Sequence, residues 1–283
     1  MQFQDALDAY LLQLQADGRS PHTIAQYRRH LAAFAEWLGP ERALETITPA
    51  DLARFLTAPA TLKGRSTATM NALRTSLRTF FAYAHASGLA GSNSGRMLRR
   101  AICAAPPPRG LSDGDVERLM NVLLVAQGPA ARRDHLLVHV LLRAGLRLGS
   151  ALALDRGDVD LERGELRVRT AKRQQPEVVI VPKELAEHLR GYLAERGDGP
   201  LFTRADGTRL GQRQAQRRIE QWLRNAGIAE GSAHSLRHCF GQRVYAATHD
   251  VLLVKAAMRH RSIASTLAYV RAGEGELRKV LGA

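Results

Sequence analysis

Residues 234–238 read HSLRH, and Leu236, Phe240, Val244 and Tyr245 recur around them at spacings that suit one side of a helix. On such a helix His234, Arg237 and His238 share a face, because side chains three and four positions apart are neighbours. Two imidazoles flanking a guanidinium leave three options open: part of a metal site, an anion clamp with a proton shuttle, or a polar face with no chemistry. A zinc-hydrolase helix carries a glutamate directly after its first histidine to activate the metal-bound water; here that position is Ser235. No remaining ligands or base stand out, even with Cys239 alongside, so metal hydrolysis is the weakest of the three.

Other segments bear on the choice. In AGLRLGSALAL, residues 144–154, Arg147 follows a glycine and opens an apolar helix, its plain alternative being an ion pair with Asp155 or Asp158. MRHRSIASTLAYV, residues 258–270, sets His260 nine residues before Tyr269, with a capping serine at Ser262. A lone tyrosine in such a stretch is more often core than nucleophile. Lys172 falls in or beside the turn of a hairpin. Phosphoryl transfer needs such a set: cations to hold the non-bridging oxygens, a nucleophile, and groups that move protons between oxygens. Their conjunction in one half of the chain is more specific than any part.

The elements that must position these groups are legible from caps and periodicity. Ser20-Pro21 and Thr48-Pro49 each set a cap before a proline at the first helical position. Tyr27, Leu31, Phe34 and Leu38 keep helical spacing, and a long helix is expected from about Ser66 to Ser87. The first part thus reads as all-helical, residues 1–103. AAPPPRG, residues 104–110, is an extended spacer that ends it. LSDGD then opens a second domain, residues 111–283, with a serine cap and an acidic residue three further on. That domain is mainly helical, but GELRVRTAKRQQPEVVIVP alternates like a β-hairpin, and helical patterns resume from about Gly211.

The chain has 283 residues and a formal charge of +14, with only five lysines among its 41 basic residues. Arginine grips phosphate through a planar fork, so a nucleic-acid partner is favoured over mere solubility. Both parts share the excess: 12 basic against 7 acidic residues before position 104, leaving 29 against 20 after it. The sequence has no long apolar run and no secretory leader, which sets the expectation of a cytosolic protein. Cys103 and Cys239 make no disulfide framework and are expected reduced and packed.

AGLRLGSALALDRGDVDL, the hairpin lysine, HSLRH and HRSIASTLAYV together resemble the motif set of the tyrosine recombinases, the phage-integrase and Xer-type family, in order and spacing from about Leu111 to Tyr269. SPHTIAQYRRHLAAFAEWL is similar to the family's core-binding domain. The resemblance implies a C-shaped clamp on duplex DNA, made of a SAM-like helical core-binding domain and a mixed, mainly helical catalytic domain. It implies that Tyr269 attacks the scissile phosphate to leave a 3′-phosphotyrosyl link, without metal or other cofactor. Arg147 and Arg237 match the phosphate-gripping arginines, and His234 the histidine that pairs with the tyrosine. Lys172 matches the general acid to the departing 5′-oxygen, with Arg173 beside it a poor proton donor. His260 matches the histidine that packs against the site, while His238 matches no catalytic position and is read as structural. Three positions depart from the pattern. Ser150 replaces an acidic residue, Arg259 a glycine suited to a left-handed turn, and Arg271 a histidine. Arg28, Arg29, Arg74, Arg78, Arg213, Arg217 and Arg218 are expected phosphate contacts. The resemblance also implies homo- or hetero-tetramers on paired sites, with Leu277, Val280 and Leu281 on a tail that docks into a neighbour. A type IB-like topoisomerase and a non-cutting accessory factor are the alternatives.

Overall fold

The computed structural model describes residues 1–39, 42–103, 110–169, 177–194, 197–260, 262–267 and 269. Lys172, Arg173, Arg271 and the tail residues Leu277, Val280 and Leu281 lie outside the described residues. The chain divides into two compact units, Met1–Ala105 and Pro106–Ala283.

The first unit is helical: α1 (Phe3–Ala16), α2 (Pro21–Leu38), α3 (Pro49–Thr57), α4 (Pro59–Leu62) and α5 (Thr67–Ala86). Its helices start where their caps dictate. The Ser20 hydroxyl accepts from the Thr23 N–H at 3.2 Å, and Thr48 and Asp51 cap each other's backbone N–H groups at 3.3 and 2.9 Å. Phe3, Phe34, Phe80 and Phe81 are all buried where α1, α2 and α5 meet. Of the arginines expected to meet phosphate, Arg28, Arg29 and Arg78 are exposed, while Arg74 donates to the Asn71 side-chain oxygen at 3.3 Å.

The second unit is built round one buried helix. Its elements are α6 (Asp113–Val125), α7 (Pro129–Arg143), α8 (Leu148–Leu152), β1 (Val159–Asp160), β2 (Glu165–Val168), β3 (Glu177–Ile180), α9 (Lys183–Ala194), α10 (Gln212–Asn225), α11 (Ala233–Thr248), α12 (Val251–Ala257) and α13 (Ala264–Leu267). Every residue of α7 from Leu136 to Leu142 is buried, and α6, α8, α9, α10 and α11 pack around it. Such a run hides any amphipathic period, because no side of the helix faces water. The hairpin pairs β2 with β3 antiparallel, Glu165 opposite Ile180 and Val168 opposite Glu177. A third strand, β1, extends the sheet with Val159 opposite Leu166; two residues are too short for an alternating pattern to reveal. The helix opened by Arg147 is one short turn of five residues.

The two cysteines differ. Cys239 is buried, its sulfur accepting the Leu111 N–H at 3.1 Å. Cys103 is exposed, contrary to the packed position expected, because it ends an exposed run over residues 99–103.

At the N-terminal end of α7, Asp134 is 1% exposed. One carboxylate oxygen accepts Arg133 Nε and Nη2 at 2.9 and 2.6 Å. The other accepts Arg218 Nε at 2.7 Å and Trp222 Nε1 at 2.9 Å. Arg218 is therefore committed to the fold, unlike the exposed Arg213 and Arg217 on the same helix. Removing the carboxylate would strand a buried guanidinium, so Asp134→Ala should destabilise the second unit by about 3–5 kcal/mol, read by chemical denaturation.

Candidate active site

Ser232 starts α11, its hydroxyl accepting the N–H groups of His234 and Ser235 at 3.2 and 3.4 Å. HSLRH thus fills the first turn and beyond, with Leu236 and Cys239 turned into the core. Arg237 is carried in with them and is 2% exposed. Its guanidinium donates to the carbonyl oxygens of Gly145 and Met258, and no carboxylate pairs with it among the described residues. Burial first, then the nearby Arg147 and Arg259 cations, push its pKa down to about 10.

Gly145 can be nothing else. Its φ is +58°, and a Cβ there would lie 2.2 Å from the Phe240 ring. That turn offers its carbonyl to Arg237 and delivers Arg147 to the start of α8. Arg147 is exposed. Asp155 and Asp158, its possible ion-pair partners, are instead held by Arg169 at 3.4 and 2.7 Å, and Asp155 also by Arg209.

Tyr269 is 7% exposed and packs against Val254 and Met258. Its hydroxyl is hydrogen-bonded to His238 Nδ1. The sequence paired the tyrosine with His234 and read His238 as structural; here it is His238 that makes the hydrogen bond. The reason is one turn of helix: His234 lies exposed at the start of α11 and meets the His238 ring, 4.3 Å between centroids at 74°, while His238, a turn further in, reaches the buried ring. His260 lies nearly parallel to Tyr269, with centroids 6.3 Å apart and planes at 21°, and its Nδ1 is 3.0 Å from the Thr266 hydroxyl. The ring fits against α11 because residue 241 is glycine: a Cβ there would come within 2.4 Å of Met258 Sδ and 2.8 Å of Tyr269 Cζ.

Arg259 ends α12 in the left-handed region, with φ +52°, so the backbone keeps the turn that the missing glycine would have made, at a cost of order 1 kcal/mol. Its Nε is 3.7 Å from the Glu177 carboxylate at the start of β3. Its Nη2 is buried with no hydrogen-bond partner.

The structure thus brings Arg147, His234, Arg237, His260 and Tyr269 together and adds His238 and Arg259; Lys172 lies outside the described residues. Burial, then the surrounding cations, lower the pKa of all three imidazoles, His238 and His260 to about 4. Burial pushes the Tyr269 hydroxyl up to about 12, against the pull of Arg237. Three guanidiniums with one described carboxylate among them make an anion site beside a hydroxyl.

The model of the Phage integrase family matches residues 109–276, and that of the Phage integrase, N-terminal SAM-like domain matches residues 7–88. The chain belongs to the phage integrase family. Its relatives among the tyrosine recombinases include XerA of Thermococcus kodakarensis, 29% identical over 97% of this chain and 93% of that protein. XerC of Neisseria meningitidis serogroup B is 30% identical over 94% and 90%. The fold resembles that of XerH site-specific recombinase bound to difH substrate before cleavage, with TM-score 0.74 and 24% identity over 92% of this chain and 78% of that one. It also resembles the Tn1549 transposon integrase in complex with a circular intermediate DNA, with TM-score 0.80 and 16% identity over 98% of both chains.

Gly241 was signalled only weakly by sequence: a glycine inside a helix costs about 1 kcal/mol against alanine, which points to a close approach there. In this phage-integrase chain Gly241→Ala should leave the fold and melting temperature nearly unchanged but displace Tyr269. About 1 Å of misplacement costs on the order of 10²-fold in rate, to be read by single-turnover strand cleavage beside a thermal melt.

Proposed function

We propose that this tyrosine recombinase cleaves and rejoins duplex DNA at specific sites through a covalent link between Tyr269 and the 3′-phosphate. The observation that carries the reading is the Tyr269 hydroxyl, hydrogen-bonded to His238 and adjoining the guanidiniums of Arg147 and Arg237, which have no carboxylate partner among the described residues. In the forward step the tyrosine oxygen bonds to phosphorus as the bond to the 5′-oxygen breaks. The phenolic proton passes to His238, which His234 adjoins, and the departing oxygen takes a proton from Lys172. Arg147 and Arg237 hold the non-bridging oxygens, where charge grows in the pentacoordinate transition state. Arg259, with an unpartnered Nη2, adds a third cation to that grip. His260 stacks behind the tyrosine and fixes its ring. The phosphotyrosyl ester retains the bond energy, so rejoining needs no nucleotide and the step draws on no metal.

The helical unit, with Arg28, Arg29 and Arg78 exposed, and the catalytic unit would close on duplex DNA as a clamp. The relatives named above include recombinases held on DNA, which supports duplex DNA as partner. A tetramer of like or unlike chains on paired sites, and a nucleoid-associated cytoplasmic location, go with that reading. No helix among the described residues is long and apolar enough to cross a membrane.

Incubating the protein in chelator with nicked duplexes carrying candidate sites should give a covalent protein–DNA band with wild type and none with Tyr269→Phe. Tight binding to a verified site with no band would leave a non-cutting accessory factor instead. If the clamp neutralises about eight phosphates, log affinity should fall against log salt with a slope of about −7; a nearly flat titration would remove it.

A further inference from the structure

Histidines and a carboxylate also converge between α7 and α9, on residues that the cleavage reading does not use. His135 and His139 are four apart on α7, and Glu184 and His188 are four apart on α9, so each helix presents a pair on one face. The two helices pack together, bringing the ring centroids of His139 and His188 to 4.3 Å and those of His135 and His188 to 5.3 Å. One ligand atom from each of His139, Glu184 and His188 falls within 4.8 Å of the others. The cluster lines a cavity of about 460 Å³ that His135 also borders.

One atom in the cluster needs an explanation. His139 is 5% exposed, and its Nδ1 is buried with no hydrogen-bond partner. A buried polar atom left unpaired costs stability, so native structures rarely keep one without a purpose. A cation bound at that nitrogen would satisfy it. We propose that His139, His188 and Glu184, with His135 as fourth ligand, bind one divalent transition metal ion of the zinc class, bridging α7 to α9.

The donor chemistry fits. Imidazole with one carboxylate suits zinc, cobalt or nickel rather than magnesium or calcium, which prefer oxygen ligands. Tetrahedral coordination at about 2.0–2.1 Å sets ligand atoms about 3.4 Å apart, so side-chain rotation of roughly 1 Å closes the site. The His139 ring is buried, and a neutral imidazole is the form that binds a metal. The same burial resists a bare cation, and Glu184 supplies the compensating charge. That carboxylate now lies 3.2 Å from the Arg143 guanidinium, an ion pair the metal would exchange for its own bond. The role is structural: α9 follows directly on the hairpin, and α7 is the core helix behind α11.

The test uses tag-free full-length protein stripped by chelator and dialysed. Zinc titrated calorimetrically should bind one ion per chain, cobalt should give the visible bands of tetrahedral coordination, and zinc at a hundredfold excess over Kd should raise the melting temperature by roughly 5–10 °C. Glu184→Gln and His188→Ala, on the outer helix, should each fold, weaken zinc by more than about 100-fold and lose the melting shift. The double variant His234→Ala, His238→Ala should bind zinc as wild type does. The proposal is overturned by absence of micromolar zinc binding, by undiminished binding in His188→Ala, or by loss of binding in the His234, His238 pair, which would place the ion among the cleavage histidines. Failure of the phosphotyrosyl reading would leave each of these outcomes unchanged.

Discussion

Burying the Arg237 cation with no carboxylate partner among the described residues is the constraint around which the second unit is arranged. An unpaired charge at this depth costs several kcal/mol unless hydrogen bonds replace its water. The carbonyls of Gly145 and Met258 supply two, and in doing so they pin the turn after α7 and the end of α12 to α11. Each turn adopts a left-handed conformation to manage it, Gly145 freely and Arg259 against its own preference. The carbonyls are dipoles, not counter-charges, so the guanidinium stays short of negative charge. On the proposed reading such a core holds a cation in place for an anion, and preorganisation of that kind is what transition-state stabilisation requires.

The same constraint explains why Tyr269 lies where it does. Met258 is both an acceptor for Arg237 and a wall for the tyrosine, so gripping the cation and seating Tyr269 are one packing problem. Gly241 is its other half: without a Cβ, α11 lets the ring lie against its backbone. Glu177 at the start of β3 reaches Arg259, which links the hairpin to the same turn.

Much of this was legible in the sequence because the signals are local. Caps at Ser20, Thr48 and Ser112 are read from residues within one turn, and each starts a helix there. The β2–β3 pair shows through its alternation. What stayed hidden depends on contacts distant in the chain. His238 is indistinguishable from a surface histidine until Tyr269, 31 residues on, is laid against it. Arg218 looks like any other arginine of α10 until Asp134 arrives from 84 residues before it. His135 and His139 are unremarkable in a helix so apolar, and their partners are on α9. Arg259 was legible as a departure, but the outcome, a turn kept and a guanidinium buried, followed from packing rather than from type.

The hydrogen bond between Tyr269 and His238 joins an acid and a base that are poorly matched as they stand. Burial holds the phenol up near 12 and the imidazole down near 4, so the proton stays on oxygen. Desolvation is the larger cause in both, but Arg237 and the neighbouring histidines add to the lowering at His238, and Arg147 does so at His234 and His260. A phosphate diester between the guanidiniums would cancel that part, since each positive charge would then face a negative one. The imidazoles would become more basic as substrate arrives. Contact of the phenolic oxygen with phosphorus would make the phenol more acidic at the same moment. On the proposed reading the resting site is therefore switched off by its own excess of positive charge, and the anion it binds is also the group that makes its base effective.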